Sequence, residues 1–377
     1  MKNLSIVGST GSVGTQALSV IRDFPESLRV IGLAAGNNTE LLSSQAHQFL
    51  PKLVSANSAR EINVPSGTRI VDVDRIVTDS QVELVIMAST ASAGRAATLK
   101  ALQAGKEIAL ASKEVLVTAG HLVSQCAVDA GVAIRPVDSE HSAIWQCLAG
   151  EDKGSVDQLM ITASGGAFRD HTLEELATVT PEQALAHPTW SMGKKITVDS
   201  ATLVNKAFEV IEARWLFDVP FDSIQVILHR QSIVHSMVQF TDGSVKAQMG
   251  KPDMRIPIQH AIFGGERRFF EEDARYNPTD FSPLTFEELD LDRYPCYTLV
   301  LEAGKKQGTF PAVAAAVDEI AVELFLSGVI PFQGIGQLLS EVLGRHSGRS
   351  NPSLEEIIEA ERWAKEVALE CSKLVSQ

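Results

Sequence analysis

Cysteine is scarce in this 377-residue chain. Cys126, Cys147, Cys296 and Cys371 occur with no CxxC motif and no close spacing. That pattern excludes a disulfide framework or a cysteine zinc cluster and predicts a reducing, cytoplasmic compartment. Long apolar runs are lacking too. The stretch Ile320 to Ile330 is broken by Glu323 and Gly328. Nothing reaches the about 18 consecutive apolar residues of a membrane span, so no membrane association is expected. Cations are outnumbered, 33 Lys and Arg against 47 Asp and Glu, for a net charge of −14. Such a balance argues against a partner that is nucleic acid or an anionic membrane. Small anionic ligands stay possible, because a phosphate needs only local donors. The strand-like Leu4–Val7 begins almost at once, so no signal or transit peptide is expected.

What is present is an ordinary soluble-enzyme composition, 45% hydrophobic and 21% charged. At about 150 residues per domain, the length suggests two or three domains. Residues 1–137 alternate apolar runs (Leu4–Val7, Val30–Ala34, Val82–Ala88, Ile108–Ala111, Val132–Val137) with helical stretches (Thr15–Asp23, Thr39–Phe49, Gly94–Ala104, Val117–Ala130). This βαβ alternation predicts an α/β, Rossmann-like parallel sheet covered by helices on both faces. Residues 138–262 mix strands and helices, an α+β or mixed-sheet domain. Leu159–Ala163, Lys195–Val198, Ile224–His229 and Ser232–Phe240 read as strands, and Asp242-Gly243 before Val245–Met249 signals a hairpin. Residues 263–295 read as a linker with some packed aromatics. Residues 296–377 read as a C-terminal helical bundle, with helices from Pro311 to Ser327, Ile335 to Leu343 and Ser353 to Val375. Ser353 and Glu356 form a capping-box signature.

Three signals carry chemistry. Gly8-Ser-Thr-Gly11-Ser-Val-Gly14 follows the first strand and opens the first helix. Glycines allow close backbone approach, and a helix N-terminus offers N–H groups to a pyrophosphate. No lysine follows Gly14, so the turn is not a P-loop. The second strand ends in Gly36-Asn37-Asn38 without the Asp or Glu that would favour NAD, so NADP is preferred. Second, Asp138 and Glu140 follow a strand at a spacing of two, which in extended chain points both carboxylates one way. They read either as oxygen ligands for Mg²⁺ or Mn²⁺ or as an exposed acidic N-cap. Third, Asp199-Ser200-Ala-Thr202 reads as the cap of a helix carrying Asn205, Lys206, Glu209 and Glu212. Asn205 and Glu209 share a face opposite the stripe Phe208, Ile211, Trp215. Ser164-Gly-Gly166 follows a strand and suits an anion. His187-Pro-Thr-Trp190-Ser-Met192-Gly193 reads as a loop that suits a lid. His235 and His260 lie on apolar runs and read as core histidines.

These strings, with Ala111-Ser-Lys-Glu114, Pro136-Val-Asp-Ser-Glu-His141, Ile211-Glu-Ala-Arg-Trp-Leu-Phe217, His235-Ser236-Met237, Lys251-Pro-Asp-Met254 and Asp292-Arg-Tyr-Pro-Cys296, run in order along essentially the whole chain. Together they closely resemble the 1-deoxy-D-xylulose 5-phosphate reductoisomerase family. The resemblance implies an NADPH domain, a catalytic and dimerisation domain and a helical tail, assembled as a homodimer. It implies conversion of a small phosphorylated sugar, 1-deoxy-D-xylulose 5-phosphate, to 2-C-methyl-D-erythritol 4-phosphate in isoprenoid biosynthesis. A carbon–carbon bond breaks and re-forms, and NADPH then reduces the resulting aldehyde. Asp138, Glu140 and Glu209 are implied ligands of Mg²⁺ or Mn²⁺, with Co²⁺ a further candidate. Lys113, Glu140 and Lys206 are implied catalytic residues. Lys113, Ser139, Glu140, Ser164, His187, Trp190, Ser200, Asn205, Lys206 and Glu209 are implied around the substrate, with Trp190 and Met192 in a lid. Thr10, Gly11, Ser12, Val13, Gly36, Asn37, Asn38, Ser112, Glu114 and Gly193 are implied at NADPH. Glu212 is expected behind Glu209, holding Lys206 or a metal-bound water.

Two positions depart from the family pattern. Asn37 stands where members commonly carry Lys or Arg, a cation that would pair with the 2′-phosphate. Ser112 replaces an Asn. Other readings are an NADP-dependent oxidoreductase of another small phosphate, and a non-catalytic dinucleotide sensor. A sensor has little need of Asp138, Glu140, Glu209 and Lys113 together.

Overall fold

The structure is a computed structural model. It describes every residue except 59–61, 187–191, 270–274, 276, 278, 280–282 and 376–377, and the side chains at 91, 92 and 374. The chain forms two compact units. One comprises Met1–Val115, His121–Gln146 and Asp253–Glu272; the other comprises Leu116–Gly120, Cys147–Pro252 and Asp273–Gln377.

The first unit starts with β1 (Lys2–Val7), α1 (Ser12–Asp23), β2 (Leu28–Ala34), α2 (Thr39–Phe49), β3 (Leu53–Ser55), β4 (Arg69–Ile70) and α3 (Val73–Val77). It continues through β5 (Leu84–Met87), α4 (Ala91–Gln103), β6 (Glu107–Leu110), α5 (Glu114–Ala130), β7 (Ile134–Pro136) and α6 (Ser139–Cys147). Among the described residues seven strands form a parallel sheet ordered β4-β3-β2-β1-β5-β6-β7. The central strands β1, β2, β5 and β6 are largely buried apolar runs, as a sheet covered on both faces requires, while edge strand β4 is exposed. The short β3, β4 and α3 carry too few apolar residues to register as periodic segments.

In the second unit come β8 (Val156–Ala163), α7 (Pro181–Ala184), α8 (Lys194–Thr202), α9 (Val204–Phe217), β9 (Ile224–Leu228), β10 (Val234–Phe240) and β11 (Val245–Met249). The chain then returns to the first unit as α10 (Arg255–Ile262). Ile258, Ala261 and Ile262 join the core there, and Phe263 meets Phe24 edge-on at 5.0 Å. The second unit resumes with β12 (Glu287–Glu288), α11 (Pro295–Lys306), α12 (Phe310–Leu326), α13 (Phe332–Arg345) and α14 (Leu354–Val375). Its sheet is mixed, in the order β11-β10-β8-β9-β12; β8 and β9 run parallel and the other pairs antiparallel. The Asp242-Gly243 hairpin closes with Gly243 at φ 84°. The capping box also forms: the Ser353 N–H donates to Glu356 Oε2 at 2.7 Å and the Glu356 N–H to Ser353 Oγ at 3.3 Å.

One strand expectation fails. Lys195–Val198 lies in α8, not a strand. The Lys195–Asp199 ion pair spans one helical turn at 2.6 Å, and Thr197 Oγ1 donates to the Gly193 carbonyl at 2.8 Å. These i,i+4 contacts override the β-branched residues. Asp199 to Thr202 is therefore the end of α8 rather than a cap. Leu203, at φ 56°, separates α8 from α9.

Two histidines serve the second sheet. His229 Nδ1 donates to the Thr285 carbonyl at 2.9 Å, while Nε2 accepts the N–H groups of Ile233 (3.2 Å) and Val234 (3.1 Å). These roles require the neutral ring. His235 on β10 is buried, and burial pushes its imidazole down to about 4. The Lys206 charge adds to that shift, against hydrogen bonds with the backbone of Lys251 and Gly250.

A Cβ at Gly14 would sit 2.2 Å from the Gly8 carbonyl oxygen, whereas one at Gly11 would sit at an ordinary 3.4 Å. Gly14→Ala should therefore destabilise the protein by about 2–3 kcal/mol in urea unfolding, and Gly11→Ala by well under that. Equal effects would mean that the turn relaxes freely. His235 stays neutral in the fold, while the unfolded chain takes up its proton near the ordinary value of 6.5. Stability is thus full above about pH 6.5 and falls on acidification until the folded group also protonates near 4, by up to about tenfold in folding constant per pH unit. His235→Asn should flatten this limb; an unchanged slope would assign it to other groups.

Candidate active site

The first sheet places β1 at its switch point. The chain runs outward through β2, β3 and β4, then crosses back to β5, β6 and β7 on the other side. Ligands of such sheets bind at the carboxyl ends of the strands beside that point. The glycine turn lies there. Gly8, at φ 91°, approaches β5 so closely that a Cβ would meet the Ala88 carbonyl oxygen at 2.2 Å. The N–H groups of Gly8 and Ser9 donate to the Ala34 carbonyl at 2.8 and 2.9 Å, and Gln45 Nε2 donates to the Ser9 carbonyl at 2.9 Å. Gly11 is the N-cap of α1, with no capping side chain among the described residues. Gly11 and Ser12 are exposed; Thr10 and Val13 are half-buried. The helix thus presents backbone N–H groups to solvent beside a cradle that only glycine permits.

Gly36, Asn37 and Asn38 stand exposed at the carboxyl end of β2. Asn38 Oδ1 accepts the Leu41 N–H at 3.1 Å and caps α2. Asn37 Oδ1 accepts from Asn57 Nδ2 at 3.0 Å. Ser112 follows β6, and its buried hydroxyl donates to the Ser89 carbonyl; Glu114 opens α5. Thr10 to Val13, Gly36 to Asn38, Ser112 and Glu114 therefore gather at one end of one sheet. Gly193 belongs to the second unit, as the N-cap of α8.

Lys113 and Asp138 leave the same sheet end, after β6 and β7. Their buried side chains pair at 2.5 Å. Burial alone would raise the Asp138 carboxyl. The Lys113 charge, with hydrogen bonds from His141 and Glu140, outweighs it and holds the group well below the usual carboxylate range. The chain is not extended here: α6 starts at Ser139, and the Ser142 N–H donates to the Asp138 carbonyl at 2.9 Å. The carboxylates of Asp138 and Glu140 nevertheless come within 4.8 Å of each other, because the Asp138 side chain folds over the helix start and its Oδ1 accepts the Glu140 N–H at 3.4 Å. Ser139 Oγ donates to Glu140 Oε2 at 2.6 Å. Asp138 thus does cap α6, but as a carboxylate only 10% exposed rather than a solvated one.

The second unit assembles another set. Glu209 Oε1 accepts from Asn205 Nδ2 at 2.6 Å, and Glu209 Oε2 pairs with Lys206 Nζ at 2.6 Å. Lys206, Glu209 and Glu212 are all buried. The polar face of α9 is thus internal, not solvated. Gly166 links the two serines, Ser164 and Ser200: its N–H donates to Ser164 Oγ at 3.3 Å, and it packs on the end of α8, where a Cβ would lie 2.4 Å from the Ser200 carbonyl oxygen. His235, read from sequence as a core residue, lies close enough to Lys206 to feel its charge. An alternating apolar strand hides such a neighbour. His187 and Trp190 fall outside the described residues; Met192 is half-buried and outside regular structure.

A family model for 1-deoxy-D-xylulose 5-phosphate reductoisomerase matches residues 4–120. Models of the C-terminal domains of that enzyme match 134–217 and 249–367. The 1-deoxy-D-xylulose 5-phosphate reductoisomerase of Pelotomaculum thermopropionicum is 48% identical, over 98% of each chain. That of Exiguobacterium sibiricum is 48% identical, over 97% of each. A crystal structure of DOX-P reductoisomerase in complex with NADPH, fosmidomycin and magnesium superposes over 100% of both chains with a TM-score of 0.92 at 34% identity. The Zymomonas mobilis enzyme in complex with NADPH gives 0.89 at 36% identity, over 99% of each chain. With both the glycine cradle and the buried carboxylate set inside these matched spans, the chain belongs to the 1-deoxy-D-xylulose 5-phosphate reductoisomerase family.

Proposed function

We propose that this protein converts 1-deoxy-D-xylulose 5-phosphate to 2-C-methyl-D-erythritol 4-phosphate, using NADPH and Mg²⁺ or Mn²⁺. The observation that carries the reading is the placement of the Lys113–Asp138 pair and Glu140 at the same sheet end as the glycine turn. Cofactor turn and the two carboxylates therefore share one locus within the first unit.

The residues suit both groups. The uncapped α1 N-terminus over a glycine cradle fits a pyrophosphate. Asp138, Glu140 and Glu209 are hard oxygen donors of the kind that take Mg²⁺ or Mn²⁺. When bound, the metal supplies Lewis acidity at the substrate oxygens and NADPH supplies the hydride. Lys113 keeps Asp138 ionised and brings positive charge to the oxygen-bearing end of the substrate, beside Ser139. Lys206 and Asn205 hold Glu209 in one orientation. We assign Ser164, Ser200, Asn205, Lys206 and His187 to the substrate phosphate, which anchors the molecule away from the reacting carbons. Trp190 and Met192 are assigned to a lid that excludes water. Thr10 to Val13, Gly36 to Asn38, Ser112, Glu114 and Gly193 are assigned to NADPH.

The organisation into cofactor (1–137), catalytic (138–262) and helical (296–377) parts belongs to the same proposal. So do a cytoplasmic location and a homodimer. Among the described residues no helix is long and apolar enough to cross a membrane. Edge strand β11, with Val245 49% and Met249 43% exposed, offers a second copy an apolar surface.

Purified protein should oxidise NADPH only when both 1-deoxy-D-xylulose 5-phosphate and Mg²⁺ or Mn²⁺ are present, and Glu209→Gln should abolish turnover while leaving the fold intact. Absence of turnover in a folded, NADPH-binding preparation would refute the activity. Asn37→Lys should tighten NADPH more than NADH, since the added ammonium meets only the 2′-phosphate. Equal tightening, read by fluorescence titration, would move that phosphate elsewhere.

A further inference from the structure

The stretch Asp292-Arg-Tyr-Pro-Cys296 leads into α11. Arg293 and Tyr294 lie just before α11, and both reach the segment that follows β8. Arg293 Nη2 donates to the carbonyls of Phe168 and His171. Tyr294, 4% exposed, donates its hydroxyl to the Gly165 carbonyl at 3.1 Å. From the other side Arg169 Nη1 donates to the carbonyls of Ser164 (3.1 Å) and Arg230 (3.2 Å). Four carbonyls of the segment 164–171 are thus held by three side chains.

The consequence lies in the Gly165–Gly166 peptide. Its C=O and N–H point in opposite directions across one rigid plane. The carbonyl is held by Tyr294, and the N–H of Gly166 donates to Ser164 Oγ at 3.3 Å. The hydroxyl of Tyr294 and that of Ser164 are therefore joined through a single peptide plane. Gly165 and Gly166 sit at φ 87° and 72°, where glycine has wide freedom. On its far side Gly166 packs directly on the backbone of Ser200 and Ala201. Burial also pushes the Tyr294 phenol up, so it remains a donor at neutral pH.

We propose that Tyr294 is a positioning residue for substrate: it sets the Gly165–Gly166 peptide and, through it, the direction of the Ser164 hydroxyl. The inference rests on the assignment of Ser164 to the substrate phosphate. Arg293 and Arg169 hold the flanking carbonyls, so Tyr294 is the contact that addresses this one plane.

The test is a double-mutant cycle on the full chain with NADPH and Mg²⁺, using Tyr294→Phe, Ser164→Ala and the two combined. Tyr294→Phe keeps the ring and removes one hydrogen bond. It should raise the KM for 1-deoxy-D-xylulose 5-phosphate about fivefold, with kcat and the KM for NADPH changed far less. In the Ser164→Ala background it should have no further effect. A merely structural role would lower the melting temperature and act equally in both backgrounds. An unchanged substrate KM in Tyr294→Phe, or additive effects in the double variant, would overturn the proposal while leaving the role of Ser164 in place. If Ser164→Ala itself leaves the substrate KM unchanged, the assignment of Ser164 fails, and the proposal falls with it.

Discussion

A carboxylate withdrawn from water needs a cation or hydrogen-bond donors, at a cost of several kcal/mol if they are missing. The chemistry-bearing part of each unit answers to that constraint. In the first unit Asp138 is buried and Lys113 accompanies it at 2.5 Å. In the second, Glu209 is 1% exposed and Lys206 and Asn205 accompany it at 2.6 Å. The partners come from fixed places on the fold, the ends of β6 and β7 in one case and successive turns of α9 in the other. Their positions are therefore set before any ligand arrives. Lys113 holds the Asp138 carboxyl well below the usual carboxylate range, and both lysines place positive charge locally in a chain whose overall sign is negative.

The glycine turn obeys a different constraint, of space rather than charge. Gly8 and Gly14 allow no Cβ, one because of β5 and the other because of the turn itself. Steric exclusion of this sort is local, with its residues six positions apart in sequence, and it leaves a plain mark in the text of the chain. The same holds for the alternation of apolar strands and amphipathic helices, and for the Asp-Gly hairpin and the Ser353–Glu356 capping box. Each of these depends on neighbours within one turn or one hairpin. That is why five strands of the parallel sheet, the hairpin and the helices α12 to α14 are legible in the sequence, whereas β3, β4 and α11 are not singled out there.

What was not legible depends on distant neighbours. Lys195–Val198 has the β-branched residues of a strand, yet it forms a helix because Lys195 reaches Asp199 one turn on and Asp318 from α12, at 2.6 and 2.5 Å. Whether the polar face of α9 is solvated or lines a site stays open in the sequence, which shows only its own helix; the residues that cover it lie elsewhere in the chain. Asp138 and Glu140 were read as convergent for the wrong reason, since an extended chain was assumed where a helix begins. The carboxylates still converge, because Asp138 lies just ahead of the helix and folds its side chain back over the first turn, where Oδ1 accepts the Glu140 N–H at 3.4 Å. The environment of His235 was hidden for the same reason as the face of α9.

The C-terminal helices gain a meaning from this that composition alone would not give them. Asp318 is fully buried on α12, and Lys195 links it to Asp199 on α8. Burial, with the charges of Asp318 and Asp199, pushes the nearby Cys296 thiol up to about 12. An apolar pair of similar size would pack α12 on α8 with less desolvation, so stability is a poor reason for this arrangement. Direction is a better one. An ammonium held between two carboxylates fixes the rotation of α8, whereas apolar side chains tolerate sliding. Ser200 lies in the last turn of that helix and Gly166 packs on its backbone. Rotation of α8 would therefore displace both serines assigned to the phosphate. On this argument the tail acts on the site without touching substrate, by holding its backbone from behind: at α8 through Asp318, and at the Ser164 turn through Arg293 and Tyr294.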